Sequence, residues 1–158
     1  MESLERQVQV LEKNMALAHI TNPLISEGSV GWHIEHCLMV MITIISALKK
    51  SDPSTYHWMF NARRAWVFLT QRVPRGRVKA PSFVQPQGEI NLDEIRAKIA
   101  KVYQSLEEAN ALPPNTHFRH FIFGVLDLKD SLYFLRIHTH HHLKIIQDLI
   151  DDNFKTRN

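Results

Sequence analysis

A single cysteine, Cys37, is the only sulfhydryl in the chain. It excludes an internal disulfide framework and suits a reducing compartment. Glycine and proline are scarce too, five and seven in 158 residues, and they cluster at joints instead of punctuating the whole chain. No stretch alternates polar and apolar strongly enough to be read as a strand, and no internal repeat is present. Charge of one sign is also lacking. A net +3 with no clustered basic stripe makes a nucleic-acid partner a weak expectation. The N-terminus, MESLERQVQVLEKN, is charged and amphipathic, with no apolar core of a secretory signal. The most apolar stretch, residues 30–48, is interrupted by His33, Glu35 and His36, so it reads as a buried helix and not a membrane span. A Gly-rich phosphate loop, a Ser-His-Asp signature and a CxxC pair are all missing. The expectation is one cytoplasmic globular domain spanning residues 1–158, with 44% apolar residues to build its core.

What is present is helical periodicity. Leu4, Val8, Leu11 and Met15 place a helix over residues 3–19. A second begins after Ser29, a good N-cap residue, and runs to Lys50, where two lysines suit a helix C-terminus. Asp52-Pro53-Ser54 opens a third over residues 55–72. Residues 73–91 hold three of the seven prolines and two of the five glycines and form the one long loop. A fourth helix covers residues 92–109, with acids in its first turn, and a last one, capped by Asp127, covers residues 129–154. Helices of similar length predict an all-α fold, an antiparallel helix bundle whose sites form from inward side chains on facing helices. Trp32, Trp58 and Trp66 are assigned to the core, as is Cys37. Arg63-Arg64 reads as a surface pair.

Histidine is concentrated. His138, His140, His141 and His142 lie within five residues of the last helix. At about 100° per residue, His138 and His142 fall on the side of Leu135, Ile145, Ile146 and Leu149, His140 among the polar residues, and His141 on the flank. Two imidazoles one turn apart can share a divalent ion. They can equally be core histidines satisfied by other groups. A third ligand would come from the second helix, where periodicity slightly favours His33 over His36. His141 is the alternative to His142. Arg72, Arg75, Arg77 and Lys79 form a cationic cluster on the long loop, either solvated or a clamp for an anionic substrate or thiol.

Three segments resemble the DinB/YfiT-like superfamily of small helical proteins. Ser29-Val30-Gly31-Trp32-His33-Ile34-Glu35-His36 is similar to its "S-V-x-x-x-x-x-H" helix start. His120-Phe121-Ile122-Phe123-Gly124-Val125-Leu126 is similar to its "H-P-x-F-G-x-L" lead. His138-Thr139-His140-His141-His142 is similar to its "H-x-x-H-H" or "H-x-x-x-H". The basic loop from Arg75 to Lys79 resembles one subgroup. Gly28 stands where the family usually has Trp, and Phe121 where it has Pro; both departures bear on the pocket's shape more than on the ligands. The resemblance spans residues 29–147. It implies an antiparallel four-helix bundle and a divalent metal site on His36, His138 and His142, choosing His36 over His33. Members of the superfamily include metal-dependent transferases of low-molecular-weight thiols, isomerases and hydrolases. The implied activity is therefore that of a metal-dependent thiol transferase or related hydrolase on a small-molecule substrate, and the lack of a Glu or Asp ligand makes zinc or nickel the expected metal. A non-catalytic bundle with a structural or vestigial metal is the alternative, and a homodimer is left open.

Overall fold

The computed structural model describes residues 1–75 and 80–155. These residues are mostly helical, 64%, with five α-helices and one small two-stranded sheet. Helix α1 is Leu4–Lys13, α2 Val30–Lys50, α3 Ala62–Thr70, α4 Leu92–Asn110 and α5 Leu128–Lys155. Strands β1, His117–His120, and β2, Gly124–Asp127, lie between α4 and α5.

Helix α2 is the organising element. It packs against α4 and α5, and α1 packs across α5 and α4. Its start is fixed by Ser29, whose hydroxyl accepts from the Trp32 amide at 3.0 Å, so an otherwise orphaned amide is satisfied. Ile34, Leu38, Met41, Ile45 and Leu48 are fully buried and meet Val8 and Leu11 of α1, Ile95 of α4, and Leu135, Ile146 and Leu149 of α5 in one cluster. By length and composition α2 could cross a membrane, yet 67% of its most apolar window is buried inside the protein. That is the pattern of a core helix. Cys37 lies wholly in this core, and burial raises its thiol well above the usual range.

The described structure differs from the sequence-based expectations in five places. The first helix ends at Lys13 and passes into a 3-10 turn, Asn14–Leu17. The third is a nine-residue helix, because Pro53–Thr55 forms a separate 3-10 turn and Asn61 caps a new start, accepting from the Arg64 amide at 2.9 Å. Helix α3 buries only Arg64 and Val67. Trp58 and Trp66 are therefore surface residues, 63% and 48% exposed, and not core. Arg64 of the presumed surface pair is buried instead, donating to the Val125 carbonyl at 2.7 Å and the Met59 carbonyl at 2.5 Å.

The fifth difference is the hairpin, where the sequence predicts no strand. His117 pairs with Asp127, Phe118 with Leu126, Arg119 with Val125 and His120 with Gly124. Gly124 adopts φ +72°, which lets the chain reverse after three residues. The His120 ring braces the turn: its Nδ1 accepts from the amides of Ile122 and Phe123 at 3.1 and 3.3 Å. Asp127 then caps α5, accepting from the Asp130 amide at 2.8 Å. The segment His120–Leu126 is thus a turn that aims α5.

Candidate metal centre

Helices α2 and α5 carry the site between them. His33 and His36 both point inward from α2, each 3% exposed. A helix face wide enough to pack on both α4 and α5 buries both positions, so the slight lean of periodicity toward His33 does not carry over to the three-histidine group, which contains His36. On α5, His138 and His142 sit one turn apart. His142 is 9% exposed, while His138 keeps part of its surface exposed although its Nδ1 is sealed from solvent.

His36, His138 and His142 each place a ligand nitrogen within 4.8 Å of the others, a group that could hold a metal ion. The ring centroids are 4.5 Å apart for His138–His142, 4.8 Å for His36–His142 and 5.1 Å for His36–His138. His36 Nε2 lies 3.3 Å from His138 Nε2. Two ligands of a tetrahedral zinc at 2.0–2.1 Å are separated by about 3.3–3.4 Å, so the His36–His138 pair fits as it stands, while the group as a whole, with nitrogens up to 4.8 Å apart, has to close by about an ångström for all three to reach one ion.

The surroundings of His36 favour coordination through Nε2. Its Nδ1–H donates to the Val84 carbonyl at 2.7 Å, which places the proton on Nδ1 and leaves a lone pair on Nε2. Val84 belongs to the 3-10 turn Ser82–Val84 of the long loop. The loop therefore enters the site through a backbone carbonyl, a contribution no side-chain pattern announces. Trp32 lies flat against His36, centroids 5.0 Å apart and planes 14° from parallel. Gly28 leaves the room for it, since a Cβ there would come within 2.8 Å of the indole.

Hydrogen bonding among the histidines alone does not satisfy every ring. His33 Nδ1 lies 2.9 Å from His142 Nδ1, and His33 Nε2 lies 2.9 Å from the Ser26 hydroxyl. His138 Nδ1 is buried with no partner. In any neutral arrangement, one nitrogen of His138 is left unpaired in the interior, at a cost of about 1–3 kcal/mol. The donor set fits a cation through Nε2 of His36 and His138, whereas the orphaned Nδ1 of His138 faces away from that pair of nitrogens and gains no partner from an ion held there.

Electrostatics keep the group in the form a metal needs. Burial, then repulsion from neighbouring imidazoles, holds His138 and His142 well below the usual imidazole value. Burial also lowers His36, opposed only by its bond to Val84. His33 is pushed down to about 3, again chiefly by burial. Neutral rings at pH 7 present lone pairs.

The other histidines of the cluster are outside the group. His140 is partly exposed, as its polar-side position predicts. His141 contacts His142 edge-on, centroids 5.2 Å apart. Of the cationic loop, Arg75 is engaged with Asp148 at 2.7 Å and Arg72 is exposed. Arg77 and Lys79 lie outside the described residues. No protein-family model, curated protein or solved structure matches this chain.

Proposed function

We propose that this chain is a DinB/YfiT-like metal protein: an antiparallel four-helix bundle formed by α1, α2, α4 and α5. In it His36, His138 and His142 hold one divalent ion for the transfer of a low-molecular-weight thiol, or a related hydrolysis, on a small-molecule substrate. The observation that carries the reading is the convergence of three ring nitrogens within 4.8 Å on facing helices. The donor set contains no carboxylate, so zinc or nickel is favoured over magnesium or calcium. Three imidazoles leave a tetrahedral ion one ligand short, and an ion so held lowers the pKa of a bound water or thiol.

A second reading is a structural ion without turnover, supported by the 3% exposure of His36 beneath the Val84 loop. Two measurements separate the readings. Protein purified without a His-tag is expected to carry close to one zinc or nickel per chain; a metal-free protein that also fails to take up added metal sinks both. Turnover of a small electrophile that depends on both metal and added thiol supports the enzyme. A metal-loaded chain inert toward a panel of thiols, electrophiles and esters supports the structural ion.

A further inference from the structure

His33 lies outside the three-residue group yet touches it, and it is buried as deeply as the ligand beside it. Its ring joins two partners in line. Nδ1 meets His142 Nδ1 at 2.9 Å, and Nε2 meets the Ser26 hydroxyl at 2.9 Å. Ser26 Oγ also accepts from the Gly28 amide at 3.2 Å. The loop bearing Ser26 is held in turn: the Ser26 amide donates to the Asn22 carbonyl at 3.0 Å, and Asn22 Nδ2 donates to Asp152 near the end of α5 at 2.7 Å. The line Ser26–His33–His142 thus has a fixed far end.

Protons can run along this line in two directions. In the first, Ser26 donates to His33 Nε2 and His33 Nδ1–H donates to His142 Nδ1. His142 then carries its proton on Nε2, and neither nitrogen has a free lone pair. In the second, His142 Nδ1–H donates to His33 Nδ1, and His33 Nε2–H donates to Ser26. A hydroxyl oxygen has two lone pairs, so it can accept from His33 and Gly28 together. Only this direction frees Nε2 of His142 for an ion. Conversely, an ion on Nε2 forces this direction.

The geometry points to His33 as a positioning residue for the metal centre: through its hydrogen bond to His142, backed by Ser26, it fixes the ring orientation and tautomer in which His142 coordinates. This rests on the proposed metal site, and it assigns His33 a role distinct from that of a ligand. It also parallels the Val84 carbonyl on His36, so two of the three ligands have their second nitrogen held.

The test is the affinity of the untagged full-length chain for Zn²⁺ and Co²⁺, measured by competition with a chelator of known affinity. His33→Phe keeps a ring but removes both hydrogen bonds, and is expected to weaken binding about 10- to 100-fold. His33→Asn places an amide oxygen near the position of Nδ1, where it can accept from His142, and is expected to restore most of the affinity. Ser26→Ala, at the far end, is expected to lower it less, in the same direction. Parent-like affinity in His33→Phe overturns the role, as does His33→Asn binding no better than His33→Phe, which would make ring shape the cause. If His33→Phe does not fold by circular dichroism, Ser26→Ala decides, and an unchanged affinity overturns the inference. A parent chain that binds neither ion removes the metal site and this role with it, whereas a parent that binds and variants that do not differ remove the role alone.

Discussion

His138 and His140 are two residues apart on one helix and have opposite surroundings. His138 faces His36 and His142 with a sealed Nδ1, whereas His140 is partly exposed and outside the group. His138→Ala is expected to abolish stoichiometric metal binding, measured by metal analysis after dialysis. It also leaves a hole and removes the neighbour of His36 Nε2, costing about 1–3 kcal/mol in denaturant titrations of the chelated protein. His140→Ala is expected to keep both metal and stability. If the two variants exchange these behaviours, the assignment of the site fails. Gly28 gives a second residue-scale prediction. Because a Cβ at Gly28 meets the Trp32 ring at 2.8 Å, Gly28→Ala must displace the indole that lies on His36. A loss of about 1–3 kcal/mol and weaker metal binding are expected; an unchanged melting curve would show that the indole shifts freely.

At the scale of the element, α2 and α5 are positioned by their first turns. Ser29 caps α2 only a few residues before His33 and His36, and Asp127 caps α5 directly after the hairpin. Ser29→Ala is expected to cost about 1 kcal/mol of stability while metal still binds at one ion per chain. Loss of the metal with little loss of stability would mean that the cap serves the site more than the helix. The hairpin escaped the sequence reading for a physical reason. Each strand has four residues, too few for an alternating pattern to show, and the turn depends on Gly124 at positive φ and on the His120 ring bracing two amides. Helix α3 was overextended for the converse reason. Asp52-Pro53-Ser54 reads as the start of the helix but opens only a 3-10 turn, and the helix starts anew at the Asn61 cap, leaving Trp58 and Trp66 exposed.

At the scale of the molecule, a buried group of neutral histidines ties stability to pH. His33 is held at about 3, and His120 and His141 at about 4, all chiefly by burial. Their unfolded value is near 6.5, so from there down to about 4 the unfolded chain binds more protons than the folded one. Stability is therefore complete above pH 6.5 and falls as the pH drops through this window, by at most about 1.4 kcal/mol per pH unit for each such ring. The melting temperature of the chelated protein is expected to decline steadily from pH 7 to pH 5; a flat profile would mean that the rings are not neutral in the fold. Added metal is expected to raise the melting temperature at pH 7, by about 2.7 kcal/mol of stability when the free ion is at 100 times its dissociation constant.

The sequence by itself determined the helices with long apolar periods, their caps at Ser29 and Asp127, and the inward direction of His138 and His142. These are local properties, written in a 3.6-residue repeat and in residues that satisfy the amides of a first turn. Between His33 and His36 the repeat leans only slightly, and toward His33, because α2 is buried on two sides and both positions face inward. Only the tertiary structure decided their difference: His36 lies against His138 and the Val84 carbonyl, and His33 against His142 and Ser26. Those partners are distant in sequence, from 48 to 109 residues away for all but Ser26, and Val84 contributes through its backbone. No side-chain pattern encodes a carbonyl, and no local period encodes which of two buried rings a neighbouring helix will meet.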